Sequence, residues 1–164
     1  MQAEFTVYGK PMGKQRPKFA RRGKFTTTYT PSETVKYEKQ VKIAYNKENR
    51  GVVLEGPVQV NIKGVFPIPK SVSKKKYKEL INSPHTKKPD CDNLAKIILD
   101  PLNKLAYNDD GQVARLYVDK IYGEEPRVEV NLSTIKDSKI VTPAIYLLSD
   151  CPIIATFNLN EKRR

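Results

Sequence analysis

The chain has no tryptophan, a single histidine and two cysteines among its 164 residues, and each scarcity removes a class of chemistry. A lone His85 cannot form a histidine pair or a Cys/His zinc site, which leaves only an isolated general base. Cys91 and Cys151 have neither metal-ligand spacing nor the density of a disulfide framework, so both are read as free thiols. No run approaches the roughly 18 apolar residues of a membrane span. The opening MQAEFTVYGK also lacks the apolar segment of a signal peptide, so a cytoplasmic protein with no membrane partner is expected.

Acids are scarce as well. Eighteen Asp and Glu stand against thirty Lys and Arg, a formal net charge of +12. A basic body of this kind favours a polyanionic partner, because phosphate neutralisation supplies most non-specific affinity for nucleic acid. The length fits one main core.

The acids that are present are concentrated. Six aspartates fall between Asp90 and Asp119, where the bases are Lys96, Lys104 and Arg115, leaving that span at about −3. A cluster of carboxylates repels phosphate, whereas carboxylates holding divalent cations activate it. The contradiction between basic body and acidic span therefore points to a metal-dependent nuclease.

Along the chain, Glu4 to Tyr8 alternates as a first strand. Lys10 to Lys24 holds seven basic residues, no acid, two glycines and two prolines, and is expected to be a loop. Within it Lys10, Lys14, Arg16, Lys18, Arg21 and Arg22 are candidate DNA contacts, joined by Lys87 and Lys88 further on. Lys74, Lys75 and Lys76 are weaker candidates. Phe19, Phe25 and Tyr29 are expected in the core or as loop anchors, with stacking on unpaired bases as the alternative. Thr30-Pro31-Ser32-Glu33 predicts a capping box opening a helix to about Lys47. Strands are expected from Val58 towards Pro67, from Val113 to Ile121 and from Arg127 to Leu132, with a short helix from Ser73 to Leu80. The whole is an α+β (mixed α/β) domain over residues 1–135, its sheet packed by helices, with a C-terminal extension at 136–164.

Asp90 and Asp92 are separated by one residue, so an extended segment would turn both carboxylates to one face. From Asp92 a helical pattern follows: Leu94, Ile97, Ile98, Leu102 and Leu105 share one side, and Asp92, Lys96 and Asp100 the other. A turn at Asp109-Asp110-Gly111 could return a third carboxylate to the first two. Each residue also has a plain structural reading. Asp92 alone fits a helix N-cap, Asp109-Asp110-Gly111 alone fits a turn, and Lys96 alone fits an ion pair on a solvated helix face. Their joint occurrence favours chemistry.

KPDCDNLAK, LDPLN and NDDGQV, together with the earlier YGKPMGKQRPK, resemble the RusA family of Holliday junction resolvases over about residues 3–132. The resemblance implies a homodimeric endonuclease that makes paired magnesium-dependent nicks in four-way DNA junctions during recombination and repair, with manganese able to substitute. It assigns the metal-binding and catalytic acids to Asp90, Asp92 and Asp110 and an essential lysine to Lys96. Asp100 and Asp109 are supporting acids. Pro101 departs from the pattern, and a kink or early end of the helix near Asp100 is expected. The alternatives are a nuclease acting on flaps or linear duplex, and a non-catalytic basic DNA-binding protein.

Overall fold

The computed structural model describes residues 1–22 and 25–135. The expected extension at 136–164 lies outside the described residues. Within the described residues, six strands and three helices follow in the order β1 (Gln2–Tyr8), β2 (Lys18–Arg22), β3 (Phe25–Tyr29), α1 (Ser32–Asn49), β4 (Val58–Pro67), α2 (Lys74–Leu80), α3 (Cys91–Leu102), β5 (Val113–Gly123) and β6 (Arg127–Thr134). A 3-10 turn, Asp110–Gln112, precedes β5.

Four strands form the main sheet in the order β1-β6-β4-β5. The β1/β6 and β6/β4 pairs are antiparallel, whereas β4 and β5 run parallel, and the crossover between them carries α2 and α3. Alternation decides which face is covered. Ala3, Phe5 and Val7 of β1, Val58, Val60 and Ile62 of β4, and Val128, Val130 and Leu132 of β6 are buried in one core with α1 and α3. Helix α1 contributes Tyr37, Val41 and Tyr45, the last meeting Phe5 edge to face at 5.6 Å. Glu4, Lys63, Asp119 and Glu129 line the other, open face, which gives Asp119 a surface position away from α3.

Three local expectations need correction. Helix α1 begins one residue later than its capping motif implies: Pro31 is the N-cap, no side chain caps the helix, and Thr30 lies outside it. Helix α3 begins at Cys91 with Asp90 as N-cap, so Asp92 is its second residue and the two acids do not share an extended strand. The stretch from Lys10 to Lys24 is not all loop, because β2 and β3 pair as an antiparallel ribbon separate from the main sheet. By contrast, Ser73 caps α2 as expected, accepting a hydrogen bond from the Lys76 amide at 3.3 Å. Pro101 sits in the final turn of α3, which ends at Leu102. Placed there, it removes one hydrogen bond near a terminus that must end anyway.

Candidate active site

Helix α3 carries the first acids because its apolar face is committed to the core. Leu94, Ala95, Ile97, Ile98 and Leu102 are buried, which leaves Asp92, Lys96 and Asp100 exposed at steps of four. Asp90 adopts the extended N-cap conformation but makes no side-chain capping bond, so its carboxylate is not consumed by the helix. The Lys96 ammonium lies 3.5 Å from Asp92 Oδ2, an i,i+4 pair with both side chains about 60% exposed. Asn93 Nδ2 donates to Asp92 Oδ1 at 3.3 Å.

The N-terminal basic loop is fastened to this helix start. The Lys14 amide donates to the Asn93 carbonyl at 2.8 Å. At Gly13 a Cβ would fall 2.6 Å from Pro89 Cβ, so only glycine permits this approach without displacement. The Lys14 ammonium pairs with Glu38 of α1 and, at 2.8 Å, with Asp100 Oδ2. Burial alone would lower its pKa, but the hydrogen bonds and charges of Asp100 and Glu38 outweigh it and raise the pKa above the ordinary 10.5. Lys14 therefore acts here as a brace between loop, α1 and α3.

A second fastening comes from β5. Lys120 Nζ donates to the Lys87 carbonyl at 2.9 Å and to the Pro89 carbonyl at 2.6 Å, fixing the backbone that delivers Asp90. Just before it, the 82–85 segment pairs with the end of β5 through Asn82, Ser83 and His85. His85 is buried, stacked on Phe66 at 3.9 Å and edge-on to Tyr122 at 4.7 Å. Burial, then the charges of Lys120, Lys87 and Lys10, hold its imidazole pKa below the usual 6.5. Its ring packs between Phe66 and Tyr122.

Two open clefts flank the helix start. One, of about 740 Å³, is lined by Lys10, Glu33, Tyr37, Lys88 and Asp90. The other, of about 430 Å³, is lined by Lys10, Lys70, His85, Lys87 and Lys88. Lys10 and Lys88 border both, so a basic track leads to Asp90. Arg16, Lys18 and Arg21 are exposed but line neither cleft, and Arg22 is the last residue of β2. Lys74, Lys75 and Lys76 lie on α2, which buries none of its residues.

The third carboxylate arrives elsewhere. Asp109 caps the 3-10 turn, accepting from the Gly111 amide at 2.8 Å, while Gln112 Oε1 accepts from the Asp109 amide at 3.0 Å. Asp110 follows at the end of α3 opposite to Asp90. Helix α3 starts beside Lys120 near the end of β5, and its last turn adjoins Tyr107 just before β5 begins. The Tyr107 hydroxyl donates to the Leu99 carbonyl at 3.0 Å. Burial, then the charges of Asp110 and Asp100, hold its pKa well above the ordinary 10. Asp110 and Asp100 thus act electrostatically on the same phenol, whereas Asp92 and Asp100 are separated by about 12 Å of helix. The expected return of Asp110 to Asp90 and Asp92 within one chain is not seen. Among the described residues no three His, Cys, Asp or Glu side chains converge as a metal-binding group.

Sequence reasoning missed Lys120, Glu38, Tyr107 and Gln112. Gln112 had a signal, since Asp109-x-x-Gln112 has capping-box spacing. The other three are defined by long-range register and carry no local mark.

Comparison with known proteins adds two findings. The family model of endodeoxyribonuclease RusA matches residues 8–133. The uncharacterized protein YqaN of Bacillus subtilis (strain 168) is 38% identical over 138 residues, which is 80% of this chain and 96% of that protein.

Proposed function

The chain belongs to the endodeoxyribonuclease RusA family, and on that footing we propose that it is a magnesium-dependent endonuclease that resolves four-way DNA junctions by paired symmetric nicks. The observation that carries the reading is the start of α3. There, two exposed carboxylates, Asp90 and Asp92, follow a fixed backbone, and Asp90, free of any capping bond, lines a cleft bordered by Lys10 and Lys88.

The donor set suits magnesium: hard oxygen ligands, exposed, with Asp90 free of capping bonds. The proposed ligands are Asp90, Asp92 and Asp110, with manganese able to substitute, and the ion would supply charge neutralisation and water activation at the scissile phosphate. The proposed acting unit is a homodimer. Since Asp110 lies at the far end of α3 from Asp90, a two-fold pair offers a second copy's Asp110 as the missing ligand. Such a pair also presents two equivalent sites to two equivalent strands.

Lys96 stands one helical turn beyond Asp92, where its ammonium can hydrogen-bond a phosphate oxygen as negative charge builds up. It has no lone pair to offer a metal. Lys10, Lys87 and Lys88 hold the backbone of the strand to be cut without reading its sequence. Lys120 and Lys14 position the acids from behind. Hydrolysis by in-line attack of water leaves 5′-phosphate and 3′-hydroxyl ends, which a ligase can rejoin.

The test is a comparison of labelled substrates. With magnesium, a four-way junction is expected to be nicked in opposing strands well ahead of a flap or a linear duplex of the same sequence. Preferential cutting of the flap or duplex overturns the junction assignment and keeps the nuclease. No cutting of any of them, with magnesium or manganese, leaves the non-catalytic alternative.

A further inference from the structure

The β2–β3 ribbon has no evident part in holding the fold together. Among the described residues its two strands pair with each other and with no strand of the main sheet, and every described β3 side chain is exposed. Yet it carries three aromatics: Phe19 is 75% exposed, Phe25 79% and Tyr29 48%. None belongs to the core, so the expected core role is not met.

Their arrangement is set by register. Lys18 pairs with Tyr29, Phe19 with Thr28, Ala20 with Thr27 and Arg21 with Thr26, while Phe25 pairs with Arg22. Side chains alternate across a strand, and directly paired residues share a face. Phe25 and Tyr29 therefore lie on one face with Lys18, about 14 Å apart along β3. Phe19 lies on the other face with Arg21. Both faces thus combine an aromatic surface with a cation, and no acid occurs between Lys10 and Ser32.

Resting on the nuclease reading above, we propose that this ribbon is a stacking element for unpaired DNA bases, entering the opening of a branched substrate so that bases meet Phe25 and Tyr29 on one side and Phe19 on the other. Charge selects the partner, since a surface rich in Lys and Arg and devoid of acid fits a polyanion. Aromatics select its state. Bases inside a closed duplex are already stacked on one another, whereas unpaired bases offer free π faces that bind aromatic side chains with little regard to sequence. Position completes the argument. Lys18 begins the ribbon four residues after Lys14, which is braced against α3, so the ribbon starts within about 14 Å of chain from the candidate site.

The absence of tryptophan supplies the probe: Phe25→Trp gives the chain a single indole. Its fluorescence is titrated with single-stranded DNA, a four-way junction and a linear duplex of the same sequence, with calcium replacing magnesium and with binding followed separately by anisotropy of labelled DNA. Strong quenching by single strand and junction is expected, several-fold beyond that by duplex. The triple variant Phe19→Ala, Phe25→Ala, Tyr29→Ala should bind junction and single strand about 5- to 150-fold more weakly for each base stack lost, and bind duplex as before.

Equal quenching by duplex, or no quenching while anisotropy shows DNA bound, overturns the proposal. So does loss of the oligomer in the triple variant by light scattering, which would assign the aromatics to a second copy of the chain. Quenching by single strands with no junction cleavage leaves the ribbon's role standing and removes the junction reading. Junction cleavage with no quenching on any of these DNAs does the reverse. A protein that binds none of them overturns both.

Discussion

The loop from Pro11 to Gln15 and the ribbon from Lys18 to Tyr29 are neighbours in the chain and equally free of acids, but they are held in opposite ways. The loop is fixed. Gly13 sits against Pro89, the Lys14 amide bonds to Asn93, and the Lys14 ammonium is shared between Glu38 and Asp100. The ribbon leaves its aromatics in solvent and pairs mainly with itself. The difference separates two tasks. Reacting groups need a supporting shell that holds them within a fraction of an ångström, whereas contacts to a variable branched polymer tolerate, and use, a projecting element. On the proposed reading positive charge does two jobs: Lys14 and Lys120 brace protein, and the exposed lysines and arginines would contact DNA.

Weakening the fixed region should have the larger consequences. Lys120→Met removes both bonds to the Lys87 and Pro89 carbonyls and loosens the delivery of Asp90. Nicking is expected to fall by about 10- to 100-fold with little change in junction affinity, because misplacement by about 1 Å is enough for such losses. Single-turnover rates and binding isotherms of the same preparation would separate the two effects. A rate unchanged in this variant would mean that the Asp90 backbone holds itself.

Gly13→Ala tests the same region by crowding. Its Cβ would meet Pro89 Cβ at 2.6 Å and Asn93 Cβ at 3.3 Å, so a loss of about 1–3 kcal/mol in denaturant unfolding is expected. The pH dependence of the Lys14 brace has a definite sign. Its folded pKa lies above the ordinary 10.5, so its ion pairs contribute fully below that value, and the contribution is lost as pH rises through the folded pKa. The stability gap between wild type and Lys14→Met should accordingly be flat from neutral pH to about pH 10 and narrow above it.

The smallest effect belongs to the ribbon. Replacing Phe19, Phe25 and Tyr29 by Ala should shift unfolding free energy by no more than about 0.5 kcal/mol per site, as for other exposed positions. A loss of several kcal/mol would show that the ribbon packs against something and would erase the contrast between the two regions.

How much of this was legible depended on whether the determinants were local. The apolar stripe of α3, the exposed row Asp92, Lys96 and Asp100, and the alternation in β4 and β6 are written in short-range periodicity, and they appear where that periodicity puts them. The ribbon was not legible. A strand pair solvated on both faces needs no apolar alternation, and the prolines and glycines nearby argued for a loop. Asp90 rather than Asp92 became the N-cap because the cap is decided by where the chain leaves the Lys120 clamp, a contact 31 residues away in sequence. The position of Asp110 was hidden for the same kind of reason. It depends on β5 running antiparallel to α3, and a spacing of 18 residues from Asp92 says nothing about which end of the helix it reaches.

The central claim is that the carboxylates at the start of α3 carry out metal-dependent cleavage and are not merely caps. The most direct measurement follows nicking of a labelled four-way junction by wild type and Asp92→Asn across a magnesium titration, with junction affinity measured in calcium. Wild type should nick only when the ion is added, and Asp92→Asn should bind within a few-fold of wild type yet nick on the order of 100- to 1,000-fold more slowly. Equal nicking by Asp92→Asn and wild type, or nicking by wild type that persists in excess chelator, would contradict the account.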